Sequence, residues 1–391
     1  MQYKIPFNGR GHSYTKDEIE CVVSTMQSAI PLTQGKFQQE FQQKFSGYIG
    51  SKYSFAVNNA TAGLELVAQL CQFESHDEVI IPGHTYTSSA YPFLKKGAKI
   101  VWADIDTDTR VVSARTIEKC ITDKTKVIVV VHLYGYGVDM LSIMELAQER
   151  GIMVVEDAAQ AFGVEINGKM AGTFGDFGVF SFHSHKNITT LGEGGMLVVK
   201  DKKIAEVIPM LRHNGHCAFD YERDSYWIPA MGNVDLPELN GKTLWPNNYC
   251  LGEVECALGV KLIDRVDQMN NQKRQRALRF IDALSSYSEL KFHREDTKRH
   301  NYHLLVAQMC NGSRDKFIKI MSEEAKIQCV VQYYPLYRYD LYKKAGLSYY
   351  NCPNTDNFFD NMISFPFHHM MTDDDFQYLL DSTIITLEKI K

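Results

Sequence analysis

A chain of 391 residues that is 45% hydrophobic and 23% charged is long enough to bury a large core and to divide into two bodies. Its formal net charge of −5 gives no basic field for nucleic acid, and its lysines and arginines are scattered rather than striped along one segment. No leading run has the charged, apolar and small-residue parts of a signal peptide, and the longest apolar run, residues 127–131, is far too short to span a bilayer, so a cytoplasmic protein without a membrane partner is expected.

Residues 1–12 show no periodicity. Thr15 and Glu18 have the spacing of a capping box, which predicts a helix from about residue 13 to residue 28, broken by the 31–35 stretch with its proline and glycine. A second helix, 36–48, ends at Gly50. The pattern then alternates: a strand at 54–57, a helix at 61–71 with Leu64, Val67, Ala68 and Cys71 on one face, and a strand at 78–81. Strands at 99–102, 126–131 and 152–155 follow, separated by segments of helical period such as 140–149. Runs 179–182 and 196–199 read as two more buried strands. Near-continuous apolar strands alternating with helices predict an α/β fold whose central sheet is mostly parallel and covered on both faces.

No GxGxxG follows any of these strands, so the phosphate signature of a dinucleotide fold is missing. Residues 211–248 are rich in Trp, Tyr, Pro, Asn and Gly and lack periodicity, and so long a loop in a compact domain is usually functional. One long helix with a charged face, 251–287, bent near its middle, is expected to lead into a smaller α+β domain. That domain has strands near 291–293, 303–308 and 328–332 and helices at 314–324 and 373–390. The expected division is therefore a large domain over 1–250 and a small one over 251–391. Nine cysteines without a CxxC fit free thiols better than a disulfide or zinc framework, and Cys256 and Cys329 lie in apolar periodic stretches that suit a core.

The stretch 178–199 reads GVFSFHSHKNITTLGEGGMLVV and carries Lys186 on a loop whose ends are fixed by two strands and the Gly192-Glu193-Gly194-Gly195 turn. Burial lowers an amine's pKa, and a neutral amine attacks carbonyls; a solvated loop lysine is the rival reading. Asn59-Ala60-Thr61-Ala62-Gly63 lies where a strand meets a helix start, so backbone amides and the positive end of the helix face any anion placed there. An ordinary cap at Asn59 or Thr61 explains the same residues. Asp157, in VVEDAAQAFG, follows a strand at the carboxyl edge where open α/β sheets bind ligands. Buried without a partner it costs several kcal/mol, so it needs a cation unless it simply caps the next helix. Tyr86, in PGHTYTSSAY, suits either the core or a flat contact with a ligand.

FSFHSHKNITTLGEGG, the run Glu156-Asp157-Ala158-Ala159-Gln160 and WPNNYCLGEVECALG together resemble landmarks of the DegT/DnrJ/EryC1/StrS sugar aminotransferases, pyridoxal-phosphate enzymes of fold type I, along nearly the whole chain. The resemblance implies pyridoxal 5'-phosphate held covalently by Lys186. It implies a phosphate at Ala60, Thr61, Ala62 and Ser181, a ring nitrogen on Asp157, a ring hydroxyl on Gln160 and a ring face on Tyr86. Asn248 would reach the neighbouring subunit's cofactor phosphate in a homodimer with shared active sites. The implied reaction is a ping-pong transfer of an amino group from an amino acid, with glutamate as the expected donor, to a nucleotide-linked keto sugar in amino-sugar or surface-polysaccharide biosynthesis. In it Lys186 carries the proton and Asp157 stabilises the negative charge through the ring.

Several positions depart from the family's pattern. Cys250 replaces an arginine, Tyr337 in YYPLYR replaces a histidine, Leu191 is inserted before Gly192, and His185 is unusual; His183 matches a family histidine without an assigned role. Two alternatives therefore stay open. One is an aminotransferase for a small phosphorylated ketone with Arg212 or Arg338 as anion partner; the other is a non-catalytic cofactor-binding regulator, against which Lys186 together with Asp157 weighs.

Overall fold

The alternating apolar runs become a seven-stranded sheet in the computed structural model, which describes residues 2–219, 232–293 and 300–391. Part of the loop expected over 211–248 thus lies outside the described residues. The strands are β1 (Tyr53–Val57), β2 (Glu78–Pro82), β3 (Lys99–Ala103), β4 (Thr125–Val131), β5 (Met153–Asp157), β6 (Phe177–Ser181) and β7 (Gly195–Val199), in the order β1-β7-β6-β5-β4-β2-β3. Every neighbouring pair is parallel except the two that involve β7. β6 and β7 are buried along their whole length, which is why their sequences run apolar without alternation.

The helices begin and end where the sequence signals place them. Thr15 and Glu18 form the complete capping box at the start of α1 (Lys16–Ser28), and α2 (Lys36–Ile49) stops at Gly50 with φ 72°. α3 (Ala60–Leu70) packs on β6 and β7, and its first turn faces the carboxyl edge of the sheet.

The antiparallel β7 organises that edge. A parallel successor to β6 would need a crossover to the far edge of the sheet, whereas an antiparallel one lets residues 182–194 leave and return on the same side. Gly195 opens β7 in register with both Ser181 and Val57. A Cβ at this position would lie 2.6 Å from the carbonyl carbon of Asn59 and 2.7 Å from the nitrogen of Ala60, so the absence of a side chain is what lets β7 reach the start of α3.

The long helix expected over 251–287 is two helices, α4 (Glu253–Ile263) and α5 (Val266–Ala283). Cys256, Leu258, Leu262, Val266 and Met269 belong to the larger hydrophobic cluster, while Ala277 and Phe280 belong to a second, smaller one. Core membership therefore changes within α5. Cys329 lies in the smaller cluster.

The smaller body holds an antiparallel sheet, β8 (Leu290–Phe292), β9 (Leu305–Met309) and β10 (Met362–Phe365), with α6 (Arg314–Glu323) and α7 (Asp373–Ile390). The strand expected over 328–332 does not form. That segment touches its neighbours through isolated bridges, Ile5 with Ile327 and Val330 with Ser364, and then turns away along a cavity wall, so it is apolar without being paired. The third strand is β10, only four residues long and too short for its period to stand out.

Glu156 and Asp157 are neighbours in β5, so their side chains leave opposite faces of the sheet. Glu156 is fully buried, with His132 Nε2 at 3.0 Å, and it accepts the N–H groups of Gly172, Phe174 and Gly175 at 2.8, 2.6 and 2.7 Å. It fixes the turn that feeds β6. Replacing it by glutamine sets an amide NH2 against those donors, so Glu156→Gln is expected to cost about 2–4 kcal/mol in denaturant unfolding. Wild-type stability for that variant would show that this carboxylate does not hold the turn.

Candidate active site

A cavity of about 590 Å³ opens at the carboxyl edge of the large sheet. Asp157 and Ser181 are the last residues of β5 and β6, Ala60 and Thr61 begin α3 just beyond β1, and Tyr86 follows β2. These residues line the cavity together with Gln160, Lys186, His183 and His185. Seven of the nine cofactor-binding residues expected from the sequence are thus brought to one wall. Ala62 and Asn248 are not: Ala62 is buried in the helix, and Asn248 is exposed on a segment bridged to His213.

Lys186 sits on well-anchored backbone. Its N–H donates to the carbonyl of His183 at 2.8 Å, and the N–H of Gly11 donates to the carbonyl of Ser184 at 2.9 Å. A Cβ at Gly11 would lie 2.0 Å from the Lys186 carbonyl oxygen, so only glycine lets the N-terminal segment close against the lysine loop. Among the described residues the amine itself makes no hydrogen bond or ion pair. Burial lowers its pKa to about 8, with the Asp157 charge opposing the shift.

Asp157 is buried and takes its hydrogen bonds from neutral groups. Oδ2 accepts from the Ser89 hydroxyl at 2.7 Å, and Oδ1 accepts from the Ala159 N–H at 3.1 Å. Among the described residues it forms no ion pair, so the carboxylate faces the cavity without a cation. Ser89 is also within 2.9 Å of Thr85 Oγ1, and Thr61 donates to Ser88 at 2.9 Å, so a set of hydroxyls joins the end of β2 to the start of α3. The sequence reading took only Tyr86 from this segment; four hydroxyl residues directly after a strand were the signal for the rest.

At the start of α3 the cap and the anion cradle share the work. Asn59 Oδ1 accepts the Ala62 N–H at 2.9 Å, which commits the one amide of the expected trio that lies outside the cavity. Ala60 and Thr61 are in the first turn, where N–H groups have no acceptor within the helix. Gln160 accepts from the Tyr134 N–H at 2.6 Å and donates to the Tyr333 hydroxyl at 2.9 Å. Ser181 Oγ accepts from the His183 N–H at 3.3 Å. Tyr86 is 53% exposed and meets Tyr333 edge-on, with centroids 5.8 Å apart. The inserted Leu191 adopts φ 61° and points its N–H at the Tyr14 hydroxyl.

Neither of the two departures expected to alter the substrate pocket lines this cavity. Tyr337 is fully buried and donates to Asp356 at 2.9 Å, and Cys250 lies against the Arg212 carbonyl. The arginines considered as anion partners for a small phosphorylated ketone are also committed elsewhere. Arg212 holds Gln38, Gln42 and the Ala56 carbonyl, and Arg338 pairs with Asp356 and Asp360. The cationic side chains on the cavity wall are instead Lys186, Arg10 and Lys273, of which the sequence reading singled out only the first.

A phosphorylated pyridine aldehyde fits this arrangement on three counts: an unpartnered amine of lowered pKa, a buried carboxylate lacking a cation, and unpaired amides at a helix start beside hydroxyls.

Comparison with known proteins agrees. The model of the DegT/DnrJ/EryC1/StrS aminotransferase family matches residues 12–383. The spore coat polysaccharide biosynthesis protein SpsC of Bacillus subtilis is 31% identical over 389 residues, 98% of this chain and 96% of that one. A GDP-perosamine synthase of Caulobacter vibrioides is 34% identical over 307 residues, 77% of this chain and 76% of its own. Among solved structures, an aminotransferase from Psychrobacter cryohalolentis has a TM-score of 0.87 at 26% identity, covering 98% of this chain and all of that one. A Streptococcus pneumoniae chain solved in a PLP form has a TM-score of 0.85 at 25% identity, with both chains covered in full.

The lowered pKa gives a direct expectation for cofactor-free protein. The reactive neutral amine appears as pH rises through the folded value, so labelling of Lys186 by an amine-reactive reagent, followed by peptide mapping, is expected to reach its midpoint near pH 8. A midpoint at the ordinary lysine value, about 10.4, would mean that the amine is solvated.

Proposed function

The chain belongs to the DegT/DnrJ/EryC1/StrS aminotransferase family, and on that premise we propose that it uses pyridoxal 5'-phosphate to move an amino group from an amino acid such as glutamate to a nucleotide-linked keto sugar. The single observation that carries the reading is the pairing, in one cavity, of an amine and a buried carboxylate that, among the described residues, form no ion pair. Two relatives support the sugar acceptor, since one is named for a GDP-linked sugar and another for spore coat polysaccharide. We assign the product to amino-sugar or surface-polysaccharide biosynthesis. Nine cysteines, all free, suit the reducing cytoplasm.

Bound cofactor supplies a carbonyl that takes up the donor's amine and a ring that draws electrons from the donor's α-carbon. Around it, the chain's own groups have distinct tasks. Lys186 holds the group covalently at rest, and once displaced its amine takes the proton from the donor's α-carbon; a pKa near 8 keeps it within reach of both protonation states. Asp157, oriented by Ser89 and Ala159, keeps a positive charge on the ring nitrogen. Ala60, Thr61 and Ser181 would receive the phosphate, Tyr86 would cover the ring, and Gln160 would meet the ring hydroxyl, all five lining the cavity. For Ala62 the cap bond to Asn59 leaves a packing role at the helix start.

A homodimer completes the proposal. α1 exposes Ile19, Val23 and Met26 on one face, and Ile30 and Leu32 extend the apolar stripe. The stripe continues to the segment that bears Asn248: Thr33 is bridged to Gly252, and Gln34 Nε2 lies 2.9 Å from a ring nitrogen of His213, the bridge partner of Asn248. A second copy seated there covers the apolar face and brings Asn248 to its partner's cofactor phosphate.

The reading is tested on purified protein loaded with cofactor. L-glutamate alone is expected to remove the cofactor's near-visible absorbance, and a nucleotide-linked keto sugar is expected to restore it. Absorbance unmoved by every amino donor would favour a non-catalytic regulator. Borohydride reduction and peptide mapping should put the label on Lys186, and Lys186→Ala should lose at least about 10²-fold in turnover. For the dimer, Met26→Glu combined with Val23→Glu is expected to give a monomer by sedimentation with little activity; a dimer that survives both charges places the interface elsewhere.

A further inference from the structure

α5 carries a second buried lysine that the reaction outlined above does not use. Lys273 is 6% exposed and lines the same cavity as Lys186. Its ammonium donates to Asn187 Oδ1 and to the His303 carbonyl, both at 3.0 Å, which occupies two of its three hydrogens. Asn187 directly follows Lys186 in the chain, and its own amide donates to Asn270 at 2.7 Å, one turn before Lys273 on α5. The two lysines are thus tied to one another through a single asparagine.

What Lys273 lacks is a counter-ion. Among the described residues it forms no ion pair, and the two carboxylates on the cavity wall are otherwise engaged: Asp157 with Ser89 and Ala159, and Glu193 with His183 at 3.9 Å. The groups facing it from other elements are histidines and cations. His300 and His303 before β9 and His368 and His369 after β10 all have their pKa lowered, by burial first and in part by Lys273, and the lysine loop adds Lys186 and His185. On its own helix stand Arg274 and Arg276. Asp375 is the acid beside His368, whose pKa it raises against the burial. His368 lines the cavity, and its Nδ1 is buried without a hydrogen-bond partner. A desolvated cation among neutral rings is an anion receptor, because the cost of its burial is recovered only when a negative group arrives.

We propose that Lys273, with His368 beside it, receives the α-carboxylate of the amino donor. The proposal rests on the aminotransferase reading, since the donor's carboxylate must settle one bond from the carbon whose proton Lys186 takes. A carboxylate accepting the third ammonium hydrogen forms a charge-assisted bond in a site shielded from water. Burial lowers the Lys273 pKa to about 7 in the free protein, so the receptor is charged below that value and loses charge as pH rises. An incoming carboxylate favours the protonated form and pulls the pKa back up.

Cofactor-loaded wild type and Lys273→Met are titrated with L-glutamate and, separately, with propylamine, a primary amine without a carboxylate, while cofactor absorbance is followed. Lys273→Met is expected to raise the half-saturating glutamate concentration by about 10- to 100-fold and that of propylamine by much less. Unchanged glutamate affinity, or equal losses for both amines, overturns the assignment. A wild type that responds to neither amine overturns the aminotransferase reading instead. Should Lys273→Met fail to hold cofactor, calorimetry with glutarate on wild type and Lys273→Arg carries the test. Wild-type binding should weaken from about pH 6 to about pH 9, whereas the arginine variant, charged throughout, should stay level. Parallel pH profiles for the two proteins overturn the proposal.

Discussion

Charges removed from water and, among the described residues, left without a direct ion pair are the constraint on which this structure depends. Lys186, Asp157 and Lys273 share one cavity, and each satisfies part of its hydrogen-bonding capacity, or none, with neutral partners. Such an arrangement opposes folding by several kcal/mol per ion. It is tolerated because the two hydrophobic clusters around it are large, and because the site's geometry is fixed by backbone packing rather than by the charges themselves. Ligands that supply the missing charges then bind to groups already desolvated and oriented, which is where binding energy is recovered.

The backbone packing is specific. β7 returns beside β6, so the lysine loop begins and ends at the same edge of the sheet, and two close approaches hold that edge together: Gly195 meets the start of α3, and Gly11 meets the Lys186 carbonyl. At the level of Glu156, Gly172 lies against Gly178, where a Cβ would be 1.9 Å from the Gly172 oxygen. Glu156, on the opposite face of β5 from Asp157, gathers the turn that precedes β6. Two adjacent carboxylates thus have separate duties set by strand alternation: one is saturated and structural, and the other is held open toward the cavity.

Legibility in the sequence followed the length of each signal. The parallel sheet, the capping box of α1 and the glycine stop of α2 were readable because each rests on local pattern or cap chemistry. Lys186, Asp157, Tyr86 and the α3 start stood out as candidates because each follows a strand, and the cavity brings them together; their roles rested on the family resemblance, because a turn after a strand leaves a cap or a core side chain equally open. The segment 328–332 misled because apolar character does not reveal whether a partner strand exists, and β10 was hidden by its brevity. Tyr337 and Cys250 differ from the family's pattern, but a departure from a pattern carries no information about local partners, which are Asp356 and the Arg212 carbonyl. The N-terminal segment was silent because its task, closing on the lysine loop, is visible only as a missing side chain at Gly11.

Lys273 was legible in principle. The buried positions of α5 include Asn270, Lys273, Ala277 and Phe280, spaced three, four and three residues apart, so they form one stripe along the helix. The later half of that stripe is apolar and belongs to the smaller core, while the earlier half is polar and anchors the residue after Lys186. A lysine at a core-facing position breaks the binary pattern, and such violations concentrate where function requires them. The same helix therefore packs Val266 and Met269 into the larger core and Ala277 and Phe280 into the smaller one, and between them presents Asn270 and Lys273 to Asn187, the residue after Lys186.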